Sequence, residues 1–169
     1  ASLPSFGYTT LTVERGAEAT SSRSLAGGDA GDSVTVSETQ IENSSVSVRL
    51  DRDGTITSIF DKKTEREFLD GKANKLLVWE DRPYSWDAWD ISHYYRETVP
   101  EQARLIERRV KLESPVRGVI YQQFEIGERS TLEQEIVLDA GSAMIRIDNT
   151  VDWTEDHKLL KVHTETSIN

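Results

Sequence analysis

Hydrophobic and polar positions alternate along much of this chain with the two-residue period of a half-buried β-strand. From Ile41 onward, Val46, Val48 and Leu50 alternate with Ser45, Ser47 and Arg49, and the strand they predict ends at Asp51-Arg52-Asp53-Gly54, a run with turn chemistry. Ile56 to Phe60 returns as a second strand. Asp61-Lys62-Lys63-Thr64 then turns the chain again, because Asp favours the first turn position through its side-chain hydrogen bond. Lys75 to Trp79 is a more continuous apolar run, which predicts a strand covered on both faces. Arg104 to Leu112, Gly118 to Ile126, Ser130 to Leu138 and Ala143 to Trp153 add further strand-length segments, divided by Ser114-Pro115, Gly127-Glu128 and Asp139-Ala140-Gly141. No long amphipathic helix emerges. The pattern predicts an all-β fold, an antiparallel β-sandwich or barrel.

The ends of the chain read differently from its middle. Residues 1–15 open on a Pro-Ser-Phe-Gly turn and continue as the β-branched run Tyr8 to Val13, suited to one lone strand. Residues 16–36 are small and polar, with Gly27, Gly28 and Gly31 and no apolar period, and are expected to be a flexible connection. The main β unit is then 37–169. After Asp152-Trp153 the chain runs through Lys158-Leu159-Leu160-Lys161-Val162 to Asn169 without a closing turn. A sheet stopping there leaves an unpaired edge, so the chain is expected to be part of something longer and to self-associate around Ala143 to Val162.

Charge narrows the partners. With a formal net charge of −10 over 169 residues, nucleic-acid backbones and anionic membranes are repelled, whereas a neutral, hydroxyl-rich ligand is not. No apolar run approaches the ~20 residues that cross a bilayer. The chain has no cysteine, which excludes disulfides and thiolate metal sites and fits a cytoplasmic protein. His93, His157 and His163 have no metal-ligand spacing and are expected at the surface.

Candidate chemistry concentrates in Glu80 to Tyr95, which holds two of the four Trp and three of the five Tyr, interleaved with Asp81, Asp87 and Asp90. Indole faces stack on the C–H faces of sugar rings, and carboxylates accept hydrogen bonds from sugar hydroxyls. Trp86, Asp87, Trp89 and Asp90 offer both within five residues. On a helical turn the two Asp would share a face about 5 to 6 Å apart, near the spacing of a retaining glycosidase pair. The competing reading is a loop packed down by its Trp residues, with the Asp capping backbone amides.

The run Glu80-Asp81-Arg82-Pro83-Tyr84-Ser85-Trp86-Asp87-Ala88-Trp89-Asp90-Ile91 resembles the C-terminal β region of the family 38 glycoside hydrolases, the α-mannosidases, in the branch with cytosolic, vacuolar and many bacterial enzymes. Leu3 to Tyr8 resembles the strand leaving that family's small β domain. Ile41-Glu42-Asn43 with Asp53 to Asp61 resembles the opening hairpin of its large β supersandwich, and Val151-Asp152-Trp153 with His157 to Val162 a later strand. The resemblance implies a galactose mutarotase-like supersandwich, cut short, in a cytoplasmic parent enzyme. It implies retaining cleavage of α-mannosides by an aspartate nucleophile beside zinc, with nucleophile and metal ligands in an upstream catalytic α/β domain. No catalytic or metal-binding residue is then expected in this chain, which alone should be inactive. Trp86, Asp87, Trp89 and Asp90 become candidate substrate-binding residues. The alternative is a free-standing carbohydrate-binding module.

Overall fold

The computed structural model describes residues 33–86 and 89–167. The strand expected within residues 1–15, most of the connection, and Asp87 lie outside them. The first antiparallel sheet joins β1 (Thr35–Val36), β2 (Gln40–Glu42), β3 (Val46–Leu50), β4 (Ile56–Asp61) and β5 (Arg66–Glu67) in that order. After β6 (Lys75–Glu80) the chain leaves the sheet and makes a 3-10 helix, η1 (His93–Glu97), before β7 (Glu101–Gln102). The long strands β8 (Arg104–Ser114), β9 (Arg117–Ile126), β10 (Ser130–Asp139) and β11 (Ile145–Asp152) form a meander of neighbours. Finally β12 (Lys158–His163) returns to β6, giving a third sheet in the order β12-β6-β7. The outer edge of β11 pairs with no strand among the described residues.

The all-β expectation therefore holds, and the sheets stack in a sandwich-like arrangement. One face of β9 and β10 serves both cores, because residues two apart on a strand share a face. At one end, Ile120, Ile136 and Leu138 meet Ile41, Val48 and Ile56 of the first sheet. At the other, Phe124, Ile126 and Leu132 meet Leu76 and Val78 of the third. Each such side chain, fully withdrawn from water, contributes about 1.5–3 kcal/mol.

Two details correct the sequence reading. The first sheet takes in the last residues of the stretch 16–36, where Val34 is buried and its N–H donates to the Pro115 carbonyl at 3.1 Å. Apolar Val34 and Val36 around Thr35 are enough to draw that segment onto the edge. And β6 is fully covered on one face only: Leu76 and Val78 are buried, while Lys75, Leu77 and Trp79 are half-buried. Among the described residues no second sheet covers the Trp79 side. Tyr95 of η1 meets it instead, edge-on, with ring centroids 5.5 Å apart.

The turn read from Asp51 to Gly54 forms as expected. The Asp51 carboxylate accepts the N–H of Asp53 at 2.9 Å and of Thr55 at 3.1 Å. Gly54 has φ of 87°, and a Cβ there would lie 2.7 Å from the Phe124 ring.

Between the two apolar ends of the β9/β10 face lies a polar seam. Gln122 and Gln134 face each other across the ladder and are both fully buried. Gln134 exchanges two hydrogen bonds with the side-chain amide of Asn74, at 2.7 and 3.1 Å, and donates to Asn149 Oδ1 at 2.8 Å. Gln122 donates to Gln134 Oε1 and to the Gly54 carbonyl, and accepts from Arg108 Nε at 3.0 Å. With partners all round, these amides avoid the penalty of a buried unsatisfied group.

Candidate functional site

The aromatic stretch lies in the segment 81–100 between β6 and β7, whose described residues form no strand. Its near end is tied down where the Asp81 N–H donates to the His157 carbonyl at 2.8 Å. The N–H groups of Trp89 and Asp90 both donate to the Trp86 carbonyl, at 3.0 and 3.1 Å, closing a single turn. Trp86 opens that turn with φ of 68°. A bulky residue in this left-handed region is uncommon and stores about 1–3 kcal/mol of strain, a feature that clusters at ligand-handling sites.

Exposure bears on the two readings of the loop. Trp86 is 77% exposed, Trp89 91% and Tyr84 fully. Within this chain, neither indole packs down onto the sheets. Asp90 is exposed and caps no backbone N–H among the described residues. Trp86, Trp89 and Asp90 share one short turn. Asp87 is outside the described residues, so the proposed Asp87–Asp90 pairing has no geometry here.

Sequence reasoning missed Tyr95. From Asp81 to Gln102 it is the one buried residue among those described. Its hydroxyl accepts a hydrogen bond from Lys161 Nζ of β12 at 2.6 Å and from Arg96 Nε at 3.3 Å. Those two cations, Lys161 foremost, hold the phenol below its ordinary pKa. No signal in the sequence separates Tyr95 from its neighbour Tyr94, which is 61% exposed.

At the foot of the loop Asp81, Pro83, Trp153 and the segment 155–158 line an open cleft of about 460 Å³. Its acids are largely engaged. Glu155 Oε1 accepts the N–H groups of Glu128 and Arg129 and the Ser130 hydroxyl, and Asp156 pairs with Arg129 at 3.0 Å. These N–H donors, that of Arg129 foremost, hold the Glu155 carboxyl below its ordinary value. His93, His157 and His163 are exposed, as expected. Among the described residues no three His, Asp or Glu side chains converge to hold a metal ion, so nothing in them fits zinc.

Residues 41–169 match the family model described as the glycosyl hydrolases family 38 C-terminal domain, and the chain belongs to that family. Over 131 residues it is 35% identical to alpha-mannosidase 2C1 of Mus musculus, covering 76% of this chain and 13% of that protein. The Homo sapiens alpha-mannosidase 2C1 is 35% identical over 125 residues (72% of this chain, 12% of that protein), and alpha-mannosidase G of Dictyostelium discoideum 27% over 130 (72% and 12%). The matched stretch thus spans about an eighth of each relative's length.

Proposed function

We propose that this chain is a noncatalytic β portion of a retaining, zinc-dependent α-mannosidase acting on glycans or oligosaccharides, and that the Trp86 to Asp90 turn helps close its sugar pocket. The observation that carries the reading is the exposure of Trp86 and Trp89 beside an exposed Asp90, in a chain of this family. Apolar side chains of that size, left in water on a loop, are suited to stack on a sugar ring or on a neighbouring domain. Zinc and the nucleophile belong, on this reading, to an upstream catalytic α/β domain, and the chain alone does not hydrolyse an aryl α-mannoside. Relatives about six times as long as this chain favour this over a free-standing carbohydrate-binding module. The compartment is cytoplasmic, following the branch whose motif the chain shares. Self-association of the isolated chain through the uncovered β11 edge belongs to the same reading.

The test is made in the parent enzyme. Trp86→Ala and Trp89→Ala remove stacking faces, and Asp87→Asn and Asp90→Asn weaken charged hydrogen bonds. Each is expected to lower kcat/KM by roughly one to two orders of magnitude with little change in Tm. Unchanged kinetics per folded molecule in all four variants would refute the pocket role.

A further inference from the structure

We propose that Tyr95, held by Lys161, is a positioning residue that fixes where the Trp86 to Asp90 turn stands, and through it the efficiency of the parent enzyme. The catalytic half of this proposal rests on the reading of the turn as part of the sugar pocket.

The geometry isolates this role. The segment 81–100 is tied at its start to the residue just before β12, where the Asp81 N–H meets the His157 carbonyl. Beyond that point no described side chain is buried until Tyr95 turns inward. Tyr95 is then gripped on three sides. Trp79 of β6 stands edge-on to the ring, at an interplanar angle of 82°. Lys161 of β12 donates to the hydroxyl and places its ammonium 4.6 Å from the ring centroid. Arg96 lies 5.7 Å from the same centroid. The Tyr95 carbonyl also accepts both the N–H and the hydroxyl of Thr98, at 3.1 and 2.7 Å, which fixes the backbone around the ring. Among the described residues the exposed turn is therefore held at two points, of which the second centres on the Tyr95 side chain. Aromatic stacking needs an indole held in place, because a mobile one loses conformational freedom on binding. Trp79 and Lys161 sit on paired strands, Trp79 opposite Leu159 and Leu77 opposite Lys161, so the anchor rides on the β6–β12 ladder.

Amide hydrogen exchange on the full chain separates anchoring from general stability. Tyr95→Phe keeps the ring and deletes the hydroxyl, Lys161→Met keeps the apolar stem, and Lys161→Arg retains a cationic donor. Tyr95→Phe and Lys161→Met are expected to speed exchange in peptides covering 82–98 by roughly ten- to hundredfold, while peptides from β9 and β10 keep their rates. Lys161→Arg should restore slow exchange. In the parent enzyme Tyr95→Phe should lower kcat/KM by about tenfold. Unchanged exchange in 82–98, or an equal rise in β9 and β10, overturns the anchor. Loosening without a kinetic effect, while Trp86→Ala does impair the parent, overturns the link to catalysis. If Trp86→Ala is silent as well, the pocket reading has failed, and the catalytic half falls with it.

Discussion

The segment 81–100 and the seam around Gln134 invert the usual placement of side chains in opposite ways. In the segment, Trp86, Trp89 and Tyr84 stand in water with few contacts to the sheets beneath. In the seam, Gln122 and Gln134 sit at zero exposure between two apolar clusters. Hydrophobic area left outside contributes nothing to the fold of this chain and remains available for something docked on it. Amides held inside add little net stability, yet only one register lets all of them pair. One region therefore answers to recognition and the other to specification of the fold.

The sharpest way to break this contrast is Gln134→Leu. It leaves Asn74 and Gln122 short of partners in a buried site, at about 1–3 kcal/mol for each group left unsatisfied. Chemical denaturation should show a large fall in midpoint, and a variant as stable as the parent chain would mean that the seam is incidental. Gly54→Ala comes next. Its backbone conformation disfavours a Cβ, and the added methyl would press on Phe124 and on Gln122 Oε1, so a loss of about 1–3 kcal/mol is expected by thermal unfolding. The smallest effect sharpens the comparison from the other side. Trp86→Ala, which keeps a Cβ in the same left-handed backbone, or Trp89→Ala should change the stability of this chain by no more than about 0.5 kcal/mol, because neither indole is packed. A loss of several kcal/mol in the same unfolding measurement would place those indoles in a core.

Strands and turns were legible because their signals are local. The alternation from Val46 to Leu50 and the Asp-Arg-Asp-Gly turn need no distant partner to be read, and β3, β4 and the meander from β8 to β11 follow them closely. The aromatic segment was legible as a cluster but not in direction: residue type does not say that Tyr94 points out and Tyr95 in. That choice depends on Trp79 and Lys161, the latter 66 residues further along the chain. The seam was illegible for a stronger reason. A Gln between Ile120 and Phe124 in the inward register looks like a flaw in the pattern. It becomes a feature only once Asn74, 60 residues before Gln134, is brought against it. The coverage of β6 was overread because an apolar run does not reveal whether its second face meets a sheet or a single ring.

The pairing of β6 with β12 also shapes the order in which the chain can fold. Lys158 must find Glu80 and His163 must find Lys75, across roughly eighty residues that contain the entire meander. At a synthesis rate of about 5–20 residues per second, β6 waits roughly 4 to 16 s on the ribosome before its main partner exists. During that interval only the short β7, through Glu101 and Gln102, can shield one edge of the strand. Leu76 and Val78 can dock on β9 and β10 once those strands emerge, but the other edge of β6 stays open to neighbouring nascent chains. The kinetic hazard of this fold therefore lies at β6, and chaperone dependence during expression should track the delay before β12 arrives.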